Sequence, residues 1–111
     1  MAENFRRLVQ RGIGTTDTRV GGYTVAADTK VVVIGMSIAN AHASSPARAT
    51  LRHHDGTNAT IIAAATLMPG DALAPAGEMN KLVLETGDGI FVQSTVAASL
   101  DVVVSILEIT P

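Results

Sequence analysis

The chain of 111 residues contains no cysteine, and charged residues make up only 16% of it. Without thiols it can form neither a disulfide framework nor a zinc–thiolate site. The low charge, together with 47% hydrophobic residues, is the reverse of the balance found in disordered chains. A formal net charge of −2 argues against a dedicated nucleic-acid partner. We therefore expect one folded domain that does not bind nucleic acid.

Aromatic residues are nearly absent, since the chain has only Phe5, Tyr23 and Phe91. Single-strand nucleic-acid binders and sugar-binding modules both rely on flat aromatic platforms, and base stacking uses several of them. Phe91 lies in a strand pattern that predicts a place in the core, and Phe5 lies close to the N-terminus. Tyr23 is then the remaining candidate platform. A single ring is too few for a sugar-binding module or for a single-strand nucleic-acid binder.

Long apolar runs are also lacking, because Gly35, Ser37, Ser105 and Glu108 interrupt the most hydrophobic stretches. No segment reaches the roughly 20 apolar residues that cross a bilayer as a helix. No apolar run follows the N-terminal arginines, so the pattern of a secretory signal is missing as well. We expect no membrane partner.

Residues 1–14 differ from the rest of the chain and are predicted to form a short N-terminal arm. An i, i+3, i+4 spacing of apolar residues gives an amphipathic turn at best, and Gly12 and Gly14 follow as a hinge. Such a turn is marginal in water, so the arm is expected to become ordered only against a neighbour, with a frayed terminus as the alternative. Removing it is expected to leave the domain folded. The candidate docking residues are Phe5, Arg6, Arg7, Leu8 and Arg11.

Residues 15–111 are predicted to form a single antiparallel β-sandwich or jelly roll. Runs rich in β-branched residues alternate with turn signals such as Asp55-Gly56 and Gly87-Asp88-Gly89. The segment 68–77 contains two prolines and is predicted to be a crossover. The alanine-rich segment 59–67 would also suit a helix, but it follows its partner so closely that a strand is favoured.

Two segments show which side chains face the core. In the segment 47–54, alanines, Leu51 and His53 alternate with polar side chains, which is typical of a strand with one wet face. In the segment 30–41, the residues expected on one apolar face are Val32, Ile34, Met36 and Ile38.

The last strand pattern, residues 100–109, is apolar on both faces. Leu100, Val102, Val104 and Ile106 line one side, and Val103, Leu107 and Ile109 line the other. Sheets in two-layer proteins usually wet one face. A chain of this size has little material to cover both sides, so a second copy is the favoured cover. The predicted subunit interface is Val103, Leu107 and Ile109.

No constellation of residues predicts catalysis, a cofactor or a metal. His53 and His54 are adjacent on a strand, so their side chains point to opposite faces and cannot chelate one ion. Cupin enzymes, which share Pro-Gly-Asp and Gly-Asp turns with this chain, need His-x-His followed by glutamate, and that pattern is missing. Gly35-Met36-Ser37 lacks the second glycine and the following helix of a nucleophile elbow. We therefore predict no enzyme activity.

Four segments resemble a group of small structural proteins of tailed bacteriophages: Val32–Asn40, Met68–Asp71, Lys81–Gln93 and Leu100–Ile109. Together they cover most of residues 30–110. The resemblance implies a short β-sandwich module in the virion, on the head surface, the neck or the tail, and it implies no catalytic residues.

The leading hypothesis is a non-enzymatic virion component that self-associates into a ring or trimer at the neck, collar or tail. Its partners would be copies of itself and other phage head, neck or tail proteins, and it would be assembled in the host cytoplasm. A capsid decoration protein on the phage head is the alternative within the same class. A receptor- or glycan-binding β-sandwich is the alternative from another class, and the few aromatics count against it.

Overall fold

The protein is an antiparallel β-sandwich, as predicted, and the computed structural model describes residues 2–73 and 82–111. The described chain forms nine strands and one 3₁₀ turn, Val20–Gly22. The strands are β1 (Ala2–Ile13), β2 (Thr18–Arg19), β3 (Lys30–Asn40), β4 (Ala47–His54), β5 (Ala59–Leu67), β6 (Ala72–Leu73), β7 (Leu82–Leu84), β8 (Gly89–Ser94) and β9 (Leu100–Thr110).

The strands form two sheets, in which every pair is antiparallel. Sheet A has the order β1-β9-β3-β6, and β7 also pairs with β3. Sheet B has the order β2-β8-β4-β5. In sheet A, β9 therefore lies between β1 and β3, so its backbone is paired on both sides. In sheet B, β5 forms one edge.

The core lies between the sheets, where the period of two along each strand places alternate side chains. The predicted inner face of β9 is confirmed, because Leu100, Val102, Val104 and Ile106 are all fully buried. On β4, the predicted alternation is confirmed by the burial of Ala47, Ala49 and Leu51. The predicted core position of Phe91 is wrong, since its ring is half-buried beside Arg19 and His54.

A β-bulge changes the predicted face of β3. The pairing with β9 shifts register between Val33 and Gly35, so one extra residue interrupts the alternation. Met36 and Ile38 face the core as predicted. Before the bulge, Val31 and Val33 are fully buried, and Val32 lies on the outer face. The prediction for Val32 is therefore wrong, because a single inserted residue inverts the side-chain pattern.

The N-terminal residues form an edge strand instead of the predicted amphipathic turn. Residues 2–10 pair continuously with residues 102–110 of β9, and Ile13 pairs with Leu100 after a bulge that includes Gly12 at φ 64°. The side chains of Leu8 and Ile13 are buried in the core. The helical spacing of Phe5, Leu8 and Val9 arises because Leu8 faces inward and the other two face outward.

The predicted tight turns are present. Asp55 accepts hydrogen bonds from the backbone N–H groups of Asn58 (2.6 Å) and Thr57 (2.9 Å), which lower the pKa of its carboxyl group. Residues 68–71 of the predicted crossover form a turn that leads into β6. The remainder of that crossover, residues 74–77, and Lys81 lie outside the described residues.

Candidate subunit interface

The outer face of sheet A carries a row of apolar side chains that crosses four strands. On β9, Leu107 lies between Phe5 of β1 and Val32 of β3. Val32 in turn lies opposite Val83 of β7. Their chain neighbours on β9, β3 and β7 face the core, so these four share the outer face. Phe5 is 72% exposed and Val83 is 61% exposed. We call this set the apolar row.

A second apolar pair continues the same face. Val103, which is 40% exposed, lies opposite Val9 on β1 and Ser37 on β3. About seven residues on each of β1, β9 and β3 and three on β7, at about 3.4 Å per residue and 4.8 Å between strands, give this face a footprint of roughly 400 Å². Arg7 and Ser105 lie between the apolar row and the pair of Val9 and Val103. Exposed apolar patches of roughly 300–600 Å² often bind partners.

The structure places the three predicted interface residues on one face. Val103, Leu107 and Ile109 alternate with the buried Val104 and Ile106 and lie on the outer side of sheet A. Leu107 and Ile109 are half-buried, because cross-strand neighbours cover part of each side chain. That this face binds another copy stays a prediction. The sequence pattern missed Phe5, Val32 and Val83 as members of the face, since only strand pairing brings them together.

The five predicted docking residues do not form one surface. Phe5 and Arg7 lie on the outer face of sheet A, opposite Leu107 and Ser105. Leu8 is buried in the core, where it contacts the 3₁₀ turn at Gly21. Arg6 lies on the inner side, and Arg11 is exposed at the bulge. A docking role for these residues stays a prediction, and Leu8 is inaccessible to a partner while β1 is in place.

Glu108 is the centre of a polar cluster that ties β1 to the rest of the sandwich. Its carboxylate accepts hydrogen bonds from the Tyr23 hydroxyl (2.5 Å) and Asn4 Nδ2 (3.2 Å), and it pairs with the Arg6 guanidinium at 3.5 Å. Burial disfavours the charge on Glu108, but the bonds from Tyr23 and Asn4 and the charge of Arg6 outweigh it and lower its pKa. Burial and the bond to Glu108 raise the pKa of Tyr23.

We expect Glu108→Gln to lower the free energy of unfolding by about 1–3 kcal/mol at pH 7, since its neutral amide keeps one acceptor oxygen but loses the charge that strengthens these bonds. The folded chain lowers the pKa of Glu108, so the carboxylate stabilises the fold fully above its ordinary value of 4.5. This contribution disappears as the pH falls through the lower pKa of the folded state. The difference between variant and native chain should therefore shrink below about pH 4.5.

Urea unfolding of the two chains between pH 3 and 7 measures this difference. Glu3→Gln is the matched control, because Glu3 is an exposed glutamate on the neighbouring strand β1. A Glu108→Gln defect that stays constant over the whole pH range would show that the charge of Glu108 contributes nothing.

The Tyr23 ring is not a free stacking platform. The guanidinium of Arg6 lies 5.2 Å from its ring centroid and occupies one face of the ring. Its hydroxyl is bound to Glu108. The residue that the sequence left as the one candidate for sugar or base stacking therefore has a structural role at β1.

The outer face of sheet B carries arginines next to an aromatic ring. The Arg19 guanidinium lies 4.6 Å from the Phe91 ring centroid, and the His54 ring lies 5.2 Å from Phe91 on the same face. Arg52 pairs with Asp17 at 3.2 Å and donates to Gln93 at 3.0 Å. Ile61, which is 61% exposed, lies opposite Arg52, so this face mixes charged and apolar side chains.

His53 and His54 point to opposite sides of β4, as the sequence predicts. His53 lies 2.8 Å from Asp88, whose carboxylate also accepts the backbone N–H of Glu85, while His54 contacts Phe91 on the opposite side of the strand. Among residues 2–73 and 82–111, no three His, Cys, Asp or Glu side chains are grouped so that they could hold a metal ion. The His53–Asp88 pair serves to fix the turn before β8 against β4.

None of the described segments forms a helix with the length and hydrophobicity needed to span a bilayer. Neither the models of known protein families nor the curated proteins gave a match to this sequence.

A solved structure described as "Bacillus endospore appendages form a novel family of disulfide-linked pili" has a similar fold. The TM-score is 0.56 at 11% sequence identity, and the match covers 98% of this chain and 87% of the other. At this identity the similarity supports the β-sandwich fold alone.

Proposed function

We propose that this protein is a non-enzymatic structural subunit that assembles with copies of itself through the outer face of sheet A. The observation that carries the proposal is the apolar row, in which Phe5 and Val83 are more than half exposed at its two ends. Exposing these apolar side chains to water is unfavourable. Burying them against a second copy stabilises an assembly by about 25 cal/mol per Å² of apolar area, from which the entropy cost of association must be subtracted.

The setting that we propose is the virion of a tailed phage, as a ring or trimer at the neck, collar or tail. This part rests on the sequence resemblance of four segments, and a decoration protein on the phage head is the alternative setting. Labelling the protein with antibody on intact particles distinguishes the two. The pilus protein of similar fold is described as disulfide-linked. With no cysteine in this chain, its copies would be held by noncovalent contacts.

We expect Val103→Asp to weaken the assembly, because an aspartate on this face loses its hydration when a second copy covers it. Val103 is 40% exposed in the single chain, so the monomer tolerates the charge. Sedimentation velocity should show a smaller species for the variant at the same concentration. Thr57→Asp is the matched control, since Thr57 is exposed in the turn after β4. Equal species sizes for Val103→Asp and the native chain would contradict the proposal.

A further inference from the structure

The free edge of sheet B is unusually suited to pair with another strand. β5 has nine residues, and none of them is charged, proline or glycine. No strand lies beyond it among residues 2–73 and 82–111. Natural proteins usually protect such an edge with lysine, proline, a bulge or shortness. β5 has one bulge, opposite Leu51 and Arg52, and the segment after it, residues 63–67, pairs regularly with β4.

The backbone of Ala64 points to this free edge. The backbone N–H of Arg48 donates to Thr95 on the β8 side of β4. Alternation along β4 then directs the backbone groups of Thr50 toward β8 as well. Ala64 lies opposite Thr50, so its own N–H and C=O point away from β4. They are open to hydrogen bonding with a further strand.

Charge distinguishes β5 from the other long edge. β1 carries Arg6, Arg7 and Arg11 against the single acid Glu3, so two copies of β1 side by side would bring like charges together. Two copies of β5 side by side would place no charged side chains next to each other, because β5 has none. The side chains around Ala64 are small on both faces of the sheet, since Ala63 and Ala65 flank it.

We propose that the β5 strands of two copies pair antiparallel around a two-fold axis at Ala64. In this register Ala64 lies opposite its own copy, and Ala63 lies opposite Ala65 of the second copy. A two-fold contact of this kind uses the same strand twice, so its length and its neutral charge match by symmetry. The two copies of sheet B would then form one continuous sheet of eight strands, since each contributes four.

The size of the apolar patch gives a reason for a second contact. The outer face around the apolar row, with a footprint of roughly 400 Å², is well below the roughly 800 Å² that each partner contributes to a standard stable interface. The β5 contact lies in the other sheet and involves no residue of the apolar row. It goes beyond the proposed function, and the two proposals fail separately.

The test compares four chains that all carry Val103→Asp, which is expected to weaken the contact through sheet A. The chain with Val103→Asp alone should sediment with twice the mass of one chain at high micromolar concentration. Adding Ala64→Lys, or instead Ala64→Glu, should reduce this to one chain, because two like charges then face each other across the axis. An equimolar mixture of the lysine and glutamate chains should restore the double mass. Thr57→Lys is the control, since it adds the same charge in the exposed turn.

Three outcomes are decisive. A Val103→Asp chain that is monomeric at this concentration overturns the β5 contact and leaves the proposed function intact. A double mass that Ala64→Lys does not change also overturns it. Single variants that dissociate but do not recombine as a lysine–glutamate mixture overturn the register at Ala64. Hydrogen exchange of residues 59–67 provides a second measurement, because pairing should slow their amides as concentration rises. Circular dichroism confirms that the monomeric variants remain folded.

Discussion

A chain that lacks residues 1–11 is expected to lose at least about 3 kcal/mol of stability, which is a large part of the roughly 5–15 kcal/mol that holds a domain together. Leu8 is buried, and removing a buried leucine side chain alone costs about 2–5 kcal/mol. The deletion also removes the strand that pairs with β9 from Val102 to Thr110 and the partners Asn4 and Arg6 of Glu108. This reverses the expectation from the sequence that the arm is dispensable for folding.

Thermal unfolding followed by circular dichroism measures the loss, which should lower Tm by more than about 10 °C. Arg7→Ser is the matched control within the same strand, since Arg7 is exposed and its substitution should change stability by less than about 0.5 kcal/mol. A shortened chain that melts within a few degrees of the native one would show that β1 contributes little to stability and that the domain folds without it.

Asn40 is expected to be the most sensitive polar residue of the fold. Its side chain is 1% exposed and forms hydrogen bonds with three backbone groups. Nδ2 donates to the carbonyl oxygens of Ser45 (3.0 Å) and Leu67 (2.9 Å), and Oδ1 accepts the N–H of His42 (2.9 Å). These bonds connect the end of β3 in sheet A with the end of β5 in sheet B. Hydrogen bonds contribute about 1 kcal/mol each, so Asn40→Ala should cost about 2–4 kcal/mol.

Asn40→Asp tests the direction of these bonds, because aspartate has nearly the same shape but no donor to offer the two carbonyl oxygens. A buried negative charge beside them should make this variant less stable than Asn40→Ala. Urea unfolding measures both, with Asn58→Ala in the exposed turn after β4 as control. An Asn40→Asp chain as stable as the native protein would refute the assigned role of the amide.

The parts of the fold that could be predicted from sequence are those where alternation runs without interruption. β4 and β9 alternate strictly over their lengths, so both faces of each were assigned correctly, including the outward position of Val103. The turns at Asp55 and Gly87 could be recognised because few residues other than asparagine, aspartate and glycine adopt their backbone angles easily. In these segments one local rule decides the structure.

The remainder depends on contacts between distant segments. β1 is hard to recognise from the sequence. Phe5 and Val9 lie on the outer face and Leu8 on the inner face, and in a short segment this spacing is the same as that of a helix. The outward position of Val32 depends on a bulge between Val33 and Gly35, and no residue in this segment predicts that bulge. The apolar row exists only when β1, β9, β3 and β7 are placed side by side, so no reading of single strands could assemble it.

The position of the apolar row on one outer face decides which surface an assembly leaves accessible. If two copies bury the outer face of sheet A against each other around a two-fold axis, sheet B forms both outside surfaces of the pair. A third protein would then meet the same side chains, among them Arg19 and Phe91, on either side of the pair.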